Sequence, residues 1–131
     1  MLFRSGVIVS PAQIYTDSHA SGGEFVGDFN VGGSDTFTNV DGGSGRTASL
    51  VVSYTADSNK RATLYVNGTN MGKIYWGPGT YDNTNWRLQV VTNSFTLNPG
   101  PVNRIEISQD PDDSGSWVCA DIDKITVIVS K

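Results

Sequence analysis

Between Arg46 and Gly72 the chain switches between apolar and polar positions with a period of two. Leu50, Val52 and Tyr54 alternate with Val51, Ser53 and Thr55, and Leu64 and Val66 alternate with Thr63, Tyr65 and Asn67. Successive side chains of a strand point to opposite faces, so both runs predict strands with one apolar face each. They read as neighbours in one sheet, joined by the polar link from Ala56 to Arg61. Asn67-Gly68 then supplies the positive φ angles that a tight turn into Met71–Trp76 requires. Three antiparallel strands are therefore predicted locally.

The remaining chain repeats this rhythm of short strands and turns. Met1–Ile8 reads as a first strand closed by Ser10-Pro11, and Ala12–Thr16 as a second. The small-residue stretch Ser18–Gly23 leads to Glu24–Phe29, and Ser34–Val40 sets Thr36 and Thr38 against Phe37 and Val40. Asp41–Gly45 reads as a flexible loop. A long loop around Pro78-Gly79 and Asp82–Asn85 precedes a strand over Trp86–Leu97, and Asn98–Pro101 is a turn. Arg104–Ser108 turns Ile105 and Ile107 inward and Arg104, Glu106 and Ser108 outward. After the polar loop Gln109–Ser116, the run Ile122–Val129 places Ile125, Val127 and Val129 on one face. No helix, repeat or linker is evident. Short strands separated by Gly, Pro, Asn and Asp turns predict an all-β protein, a β-sandwich of two sheets, as a single domain over residues 1–131.

Composition narrows the partners. The 131 residues carry 15 glycines, only 17% charged residues and a net charge of −4, without a Lys/Arg cluster, so the footprint of a nucleic-acid binder is missing. No apolar run approaches the roughly 20 residues of a membrane helix, and Val7–Val9 is shorter than the core of a signal peptide. Cys119 is the sole cysteine, so no internal disulfide forms, and a buried inert thiol is expected.

Catalytic chemistry finds little support. His19 is the single histidine, in a turn-like stretch, so neither a nucleophilic triad nor a zinc site of familiar spacing is assembled, and a solvated loop histidine is expected. A glycan hydrolase would need two carboxylates, one with a raised pKa. Glu24 and Glu106 are the only glutamates, and the eleven aspartates fall mostly in turns. Aromatic residues say more. Trp76 and Trp86 flank the loop that carries Tyr81, and Trp117 closes the acidic loop Asp110–Ser116. An aromatic face beside Asn, Asp or Arg suits a sugar ring. Core packing is the competing reading for each tryptophan, favoured for Trp86 and evenly matched for Trp117; Trp76 and Tyr81 stay open.

Several fragments, in order, resemble a known family. They are Ala20–Gly27, Leu50–Asp57, Arg61–Gly68, Trp86, the Leu97–Gly100 turn with Asn103-Arg104-Ile105, and Asp121–Val127. Together they are similar to family 35 carbohydrate-binding modules and their family 6 relatives, from about Pro11 to Val129. The resemblance implies a galactose-binding-domain-like β-sandwich of jelly-roll type. It also implies a lectin-like, non-catalytic module of a secreted glycoside hydrolase or lyase, binding a plant, microbial or algal oligosaccharide or polysaccharide. In the family the ligand sits in loops at one end of the sandwich beside the last strand, which points to Asp121, with Trp117 as platform and Asp57, Asn59 and Arg61 in the facing loop.

The family also carries a structural calcium. Its early strand commonly offers two carboxylates, where this chain has Pro11 and Gln13; Gln13, Asp123 and the region of Asp35 are the expected ligands. Calcium prefers several oxygen ligands. An acidic pair such as Asp112 and Asp113 is a second candidate, through which calcium would attract a uronic acid, against the reading of a merely solvated loop. A structural or adhesion module binding a protein partner is the alternative function, and a small glycan hydrolase a further one. Asn67-Gly68-Thr69 matches an N-glycan acceptor, but the hairpin already accounts for its Asn-Gly.

Overall fold

A computed structural model of the chain describes residues 2–3, 6–57, 60–77, 80–82, 84–113 and 120–130. The strands are β1 (Leu2–Phe3), β2 (Val7–Val9), β3 (Gln13–Thr16), β4 (Glu24–Gly27), β5 (Ser34–Asp41) and β6 (Thr47–Thr55). They continue with β7 (Lys60–Val66), β8 (Thr69–Trp76), β9 (Arg87–Thr96), β10 (Pro101–Ser108) and β11 (Asp121–Val129). One sheet runs β3-β4-β11-β6-β9, with β1 also on β11; the other runs β2-β5-β10-β7-β8. All pairings are antiparallel. This is the expected β-sandwich. Among the described residues no helix is long and apolar enough to cross a membrane.

The inward rows of both sheets meet in one apolar core that includes Phe29, Phe37, Leu50, Leu64, Ile105 and Ile125, all 2% exposed or less. Full burial of such a side chain stabilises the fold by about 1.5–3 kcal/mol. The hairpin turn forms as its residues predict: Val66 pairs with Thr69, and Asn67 and Gly68 take φ of 51° and 82°. Trp76 belongs to this core, its ring 4.8 Å from that of Tyr54.

Two expectations are corrected. The alternating runs around Leu50 and Leu64 are not neighbours, because β6 pairs with β9 and β11 whereas β7 pairs with β8 and β10. Each run has a single apolar face, and opposite sheets let both faces bury in one core, with the link from Ala56 carrying the chain over the end of the sandwich. Nor is Met1–Ile8 one strand. Leu2 pairs with Thr126 in one sheet and Val7 with Thr36 in the other. Gly6 lies between, where a Cβ would stand 2.0 Å from the Thr36 carbonyl oxygen, and its amide donates to Asp35 Oδ1 at 2.8 Å.

Local departures from strict alternation have similar causes. Phe37 and Val40 both face the core although three positions apart, since Asn39 takes φ of 56° and the β5–β10 register shifts there. Ser108, expected outward, is buried, because the chain from Gln109 to Asp113 folds back over that face and Asp110 accepts its hydroxyl at 2.7 Å. The Asp41–Gly45 loop is pinned, with Gly42 N donating to Gly100 O and Gly100 N to Gly43 O, both at 3.0 Å. Asn103, fully buried, braces the same end: its Nδ2 donates to Val40 O and Asn98 O, and its Oδ1 accepts from Asn98 N and Asn67 Nδ2.

Candidate functional site

The opposite end of the sandwich gathers the chain after β4, β6 and β8 and the start of β11. A cavity of about 480 Å³ opens there. Val26 points into the core, so its neighbours on β4, Phe25 and Gly27, face the other way. The β3–β4 register sets Tyr15 opposite Phe25, and the two rings stack at 5.4 Å and 21°. Trp86 packs on Phe25, 5.4 Å away and tilted by 51°, and is partly buried beside this site, outside the central core. Gly27 keeps the space open: a Cβ there would stand 2.8 Å from Asp121 Oδ1 and 3.2 Å from each of the Phe25 and Tyr15 rings.

Polar groups close in from the rim. Asp28, Asp57, Lys60, Tyr81 and Asp121 line the cavity with Tyr15 and Phe25. Tyr15 donates its hydroxyl to Asp28 Oδ2, which also accepts from Gln13 Nε2 at 3.2 Å. Tyr81 donates its hydroxyl to Asp121 Oδ2, and its amide donates to Asp57 Oδ1 at 2.9 Å. The next amide, of Asp82, donates to Thr55 Oγ1 at 2.7 Å, so Tyr81 is held over the opening by its backbone as well.

These contacts shift protons. Burial pushes the Asp121 carboxyl up to about 6; the Tyr81 hydrogen bond works the other way, and Asp28 and Asp17 add to the rise. Tyr81 is raised by burial and then by the carboxylate it donates to, and Tyr15 is raised first by its hydrogen bond to Asp28.

Of the residues expected from sequence, Asp121 and Asp57 line this cavity. Arg61 does not, since it alternates with the buried Ala62 and turns to the outer face of its sheet. There its guanidinium donates to Asp112 O and stands 3.6 Å from Asp113 Oδ1. Trp117, Asn59 and Cys119 lie outside the described residues. Tyr15, Phe25, Asp28 and Lys60 were not singled out from sequence. The Tyr15–Phe25 pairing depends on a strand register, and no spacing along the chain signals it.

The expected calcium ligands make three separate sets of hydrogen bonds. Asp123 Oδ1 accepts from Ser21 N and Oγ at 2.9 and 3.0 Å, and its Oδ2 from Ser53 Oγ at 3.3 Å. Asp35 takes the Gly6 amide on Oδ1, and burial pushes its carboxyl up to about 7. Gln13 is engaged with Asp28. A cage needs several unsatisfied oxygens converging on one point. Both Asp123 oxygens already accept hydrogen bonds, whereas the buried Asp35 Oδ2 meets no partner among the described residues.

In the described part of the acidic loop Asp113 is buried and Asp112 is exposed. Carboxylate oxygens of Asp110, Asp112 and Asp113 lie within 4.8 Å of one another. The Lys73 ammonium sits on them, 2.7 Å from Asp113 Oδ1 and 2.9 Å from Asp112 Oδ1. Thr63 Oγ1 and Asp110 N both donate to Asp113 Oδ2 at 2.8 Å. The cluster is thus an internal ion-pair network that fastens this loop to the outer face of β7 and β8. His19 remains a loop residue, half exposed, with Nδ1 3.0 Å from Asp17 Oδ1.

No protein-family model and no curated protein matches the chain. Solved structures do. A family 35 carbohydrate-binding module from Clostridium thermocellum superposes with a TM-score of 0.79 at 23% identity, over 98% of both chains. The chain has the fold of a family 35 carbohydrate-binding module. An exo-β-1,3-galactanase from Phanerochaete chrysosporium, solved with galactose, is similar over 97% of this chain but 29% of its own length, with a TM-score of 0.77 and 25% identity. A β-1,4-mannanase with a family 35 module from Podospora anserina aligns over all of this chain and 28% of the enzyme, with a TM-score of 0.76 and 19% identity. The chain spans the whole of a free-standing module and under a third of either enzyme.

Proposed function

We propose that this protein is a non-catalytic carbohydrate-binding module whose ligand occupies the cavity between Tyr15, Tyr81 and Asp121. One observation carries the reading: stacked aromatic rings and hydrogen-bonding carboxylates line a single cavity of about 480 Å³. Pyranose rings offer flat C–H faces to aromatics and hydroxyls to planar polar groups, and such a volume suits one or two sugar residues. The shared fold supports it, as does the presence of that fold as part of a galactanase and a mannanase. Attachment to an extracellular glycoside hydrolase or lyase goes with this proposal.

A hydrolase finds one point in its favour, the raised Asp121 carboxyl in the same cavity as Asp28. Asp121 Oδ2 is, however, the acceptor of the Tyr81 hydroxyl, which suits a binding group better than a proton donor.

The test is a screen of the purified chain against a glycan array and insoluble polysaccharides, with Asp121→Ala and Tyr81→Phe alongside and reducing-sugar release assayed in parallel. Binding that Asp121→Ala abolishes, without sugar release, is the expected result. Sugar release lost in Asp121→Ala would establish the hydrolase instead. Absence of binding to every glycan would overturn the proposal in favour of a structural or adhesion module.

A further inference from the structure

We infer that the cavity selects a basic amino sugar, a hexosamine unit with a free ammonium group, over neutral and acidic sugars. The inference rests on the carbohydrate reading above and adds the chemical class of the ligand.

The cavity wall is dominated by acceptors. Among the described residues three carboxylates, Asp28, Asp57 and Asp121, line it against one cation, Lys60, a formal balance of three negative charges to one positive. Asp17 stands close enough to act on Asp121 and Tyr81, so the surrounding field has the same sign. The donors that would have served an anion are spent within the protein. Tyr15 gives its proton to Asp28 and Tyr81 to Asp121, and Gln13 Nε2 is turned to Asp28 as well. What remains for a ligand is a row of carboxylate oxygens beside the Tyr15–Phe25 rings. Asp121 Oδ1 lies beside Gly27, 2.8 Å from where a Cβ would stand, with the Phe25 and Tyr15 rings next to it.

A uronic acid entering this space would bring a fourth carboxylate to a site with one ammonium. Like charges in a partly enclosed, low-dielectric cavity repel, and among the described residues Lys60 is the lining cation that could offset that. An ammonium group reverses the sign. It brings three donors to a site lined by carboxylate oxygens, and charge-assisted hydrogen bonds are about twice as strong as neutral ones. The aromatic faces of Tyr15 and Phe25 add to the preference, since a ring face attracts a cation.

The experiment is calorimetric titration of the whole chain at pH 7 and 0.15 M salt with four short probes. They are a glucosamine tetramer, the N-acetylated tetramer, a neutral mannan or galactan tetramer, and a galacturonate tetramer. The expected result is that the glucosamine tetramer binds at least tenfold more tightly than the other three. Asp57→Asn, at an exposed position, and Asp28→Asn should each lower the affinity for the glucosamine tetramer at least threefold, a larger loss than either causes for the neutral tetramer. Glu106→Gln, which removes the same charge from the opposite sheet, should leave every affinity unchanged. If Glu106→Gln weakens glucosamine binding as much as Asp57→Asn does, the attraction is a property of net charge and the inference falls. Equal or tighter binding of the neutral or acidic tetramer overturns the inference while sustaining carbohydrate binding. If no tetramer binds, here and in the broader screen, both fall.

Discussion

The Tyr81 hydroxyl donates to Asp121 Oδ2, joining the segment between β8 and β9 to the first residue of β11 across 40 positions of sequence. Asp121 is buried and its oxygen depends on this donor, so the pair couples the cavity's roof to its floor. Tyr81→Phe should raise the Asp121 pKa further above about 6, because the hydrogen bond now pulls it down. Leaving a buried acceptor with one donor fewer costs about 1–2 kcal/mol. Carboxyl titration by NMR and urea unfolding measure the two effects. An unchanged Asp121 titration would mean that the bond does not form in solution.

Stability should fall as pH rises from about 4 to 8. Asp35 and Asp121 ordinarily titrate near 3.8, and in the fold they are pushed up to about 7 and about 6, both chiefly by burial. A raised carboxyl pKa means that the folded state holds more protons than the unfolded one in this window, so each rise in pH favours unfolding. Asp35, whose buried Oδ2 meets no partner among the described residues, dominates; its shift corresponds to roughly 4 kcal/mol lost by pH 8. Asp35→Asn keeps an acceptor for Gly6 N and should flatten most of the slope. Unfolding free energies at pH 4, 6 and 8 for both proteins provide the check, and equal slopes would exclude Asp35 as the source.

Lys73 holds the loop from Asp110 to Asp113 in place. Burial works against its charge, but the Asp113 and Asp112 carboxylates outweigh that and keep its pKa above the ordinary value. Lys73→Met would leave Asp113, whose side chain is fully buried, with its two hydrogen bonds from Thr63 Oγ1 and Asp110 N and, as charged partner among the described residues, the Arg61 guanidinium at 3.6 Å. The expected loss is about 2–4 kcal/mol in urea unfolding, since removing one partner of a buried pair strands the other charge. Adding Asp113→Asn to Lys73→Met should recover part of that loss. If the double variant is no more stable than the single one, the charge pairing is not what Lys73 contributes.

Metal removal should have little effect on folding. With the Asp123 oxygens met by Ser21 and Ser53, calcium-loaded and EDTA-treated protein are expected to melt within about 1 °C of each other. Ligand that binds only the native state raises Tm with concentration. A calcium-dependent rise of several degrees would therefore restore the calcium site implied by the family resemblance.

The two-residue alternations, the Asn67-Gly68 turn and the Pro, Gly and Asp punctuation were enough to establish an all-β sandwich, because strand period and turn chemistry are local properties written in neighbouring residues. The order of fragments ending in Asp121–Val127 was enough to point to the fold family and to place Asp121 and Asp57 at one end. Which sheet each strand joins was not legible. Leu50 and Leu64 carry the same signal whether their strands pair side by side or face each other across a core, and only long-range burial separates the two cases. The cavity was decided at the same level. Tyr15 meets Phe25, Asp28 meets Tyr15, and Tyr81 meets Asp121 through registers and loop paths linking residues 10 to 40 positions apart. Arg61 and Lys73 likewise face Asp112 and Asp113 because the chain after β10 folds back over its own sheet. Side-chain type states what a residue is able to bind, and tertiary contact determines whether the protein has already bound it.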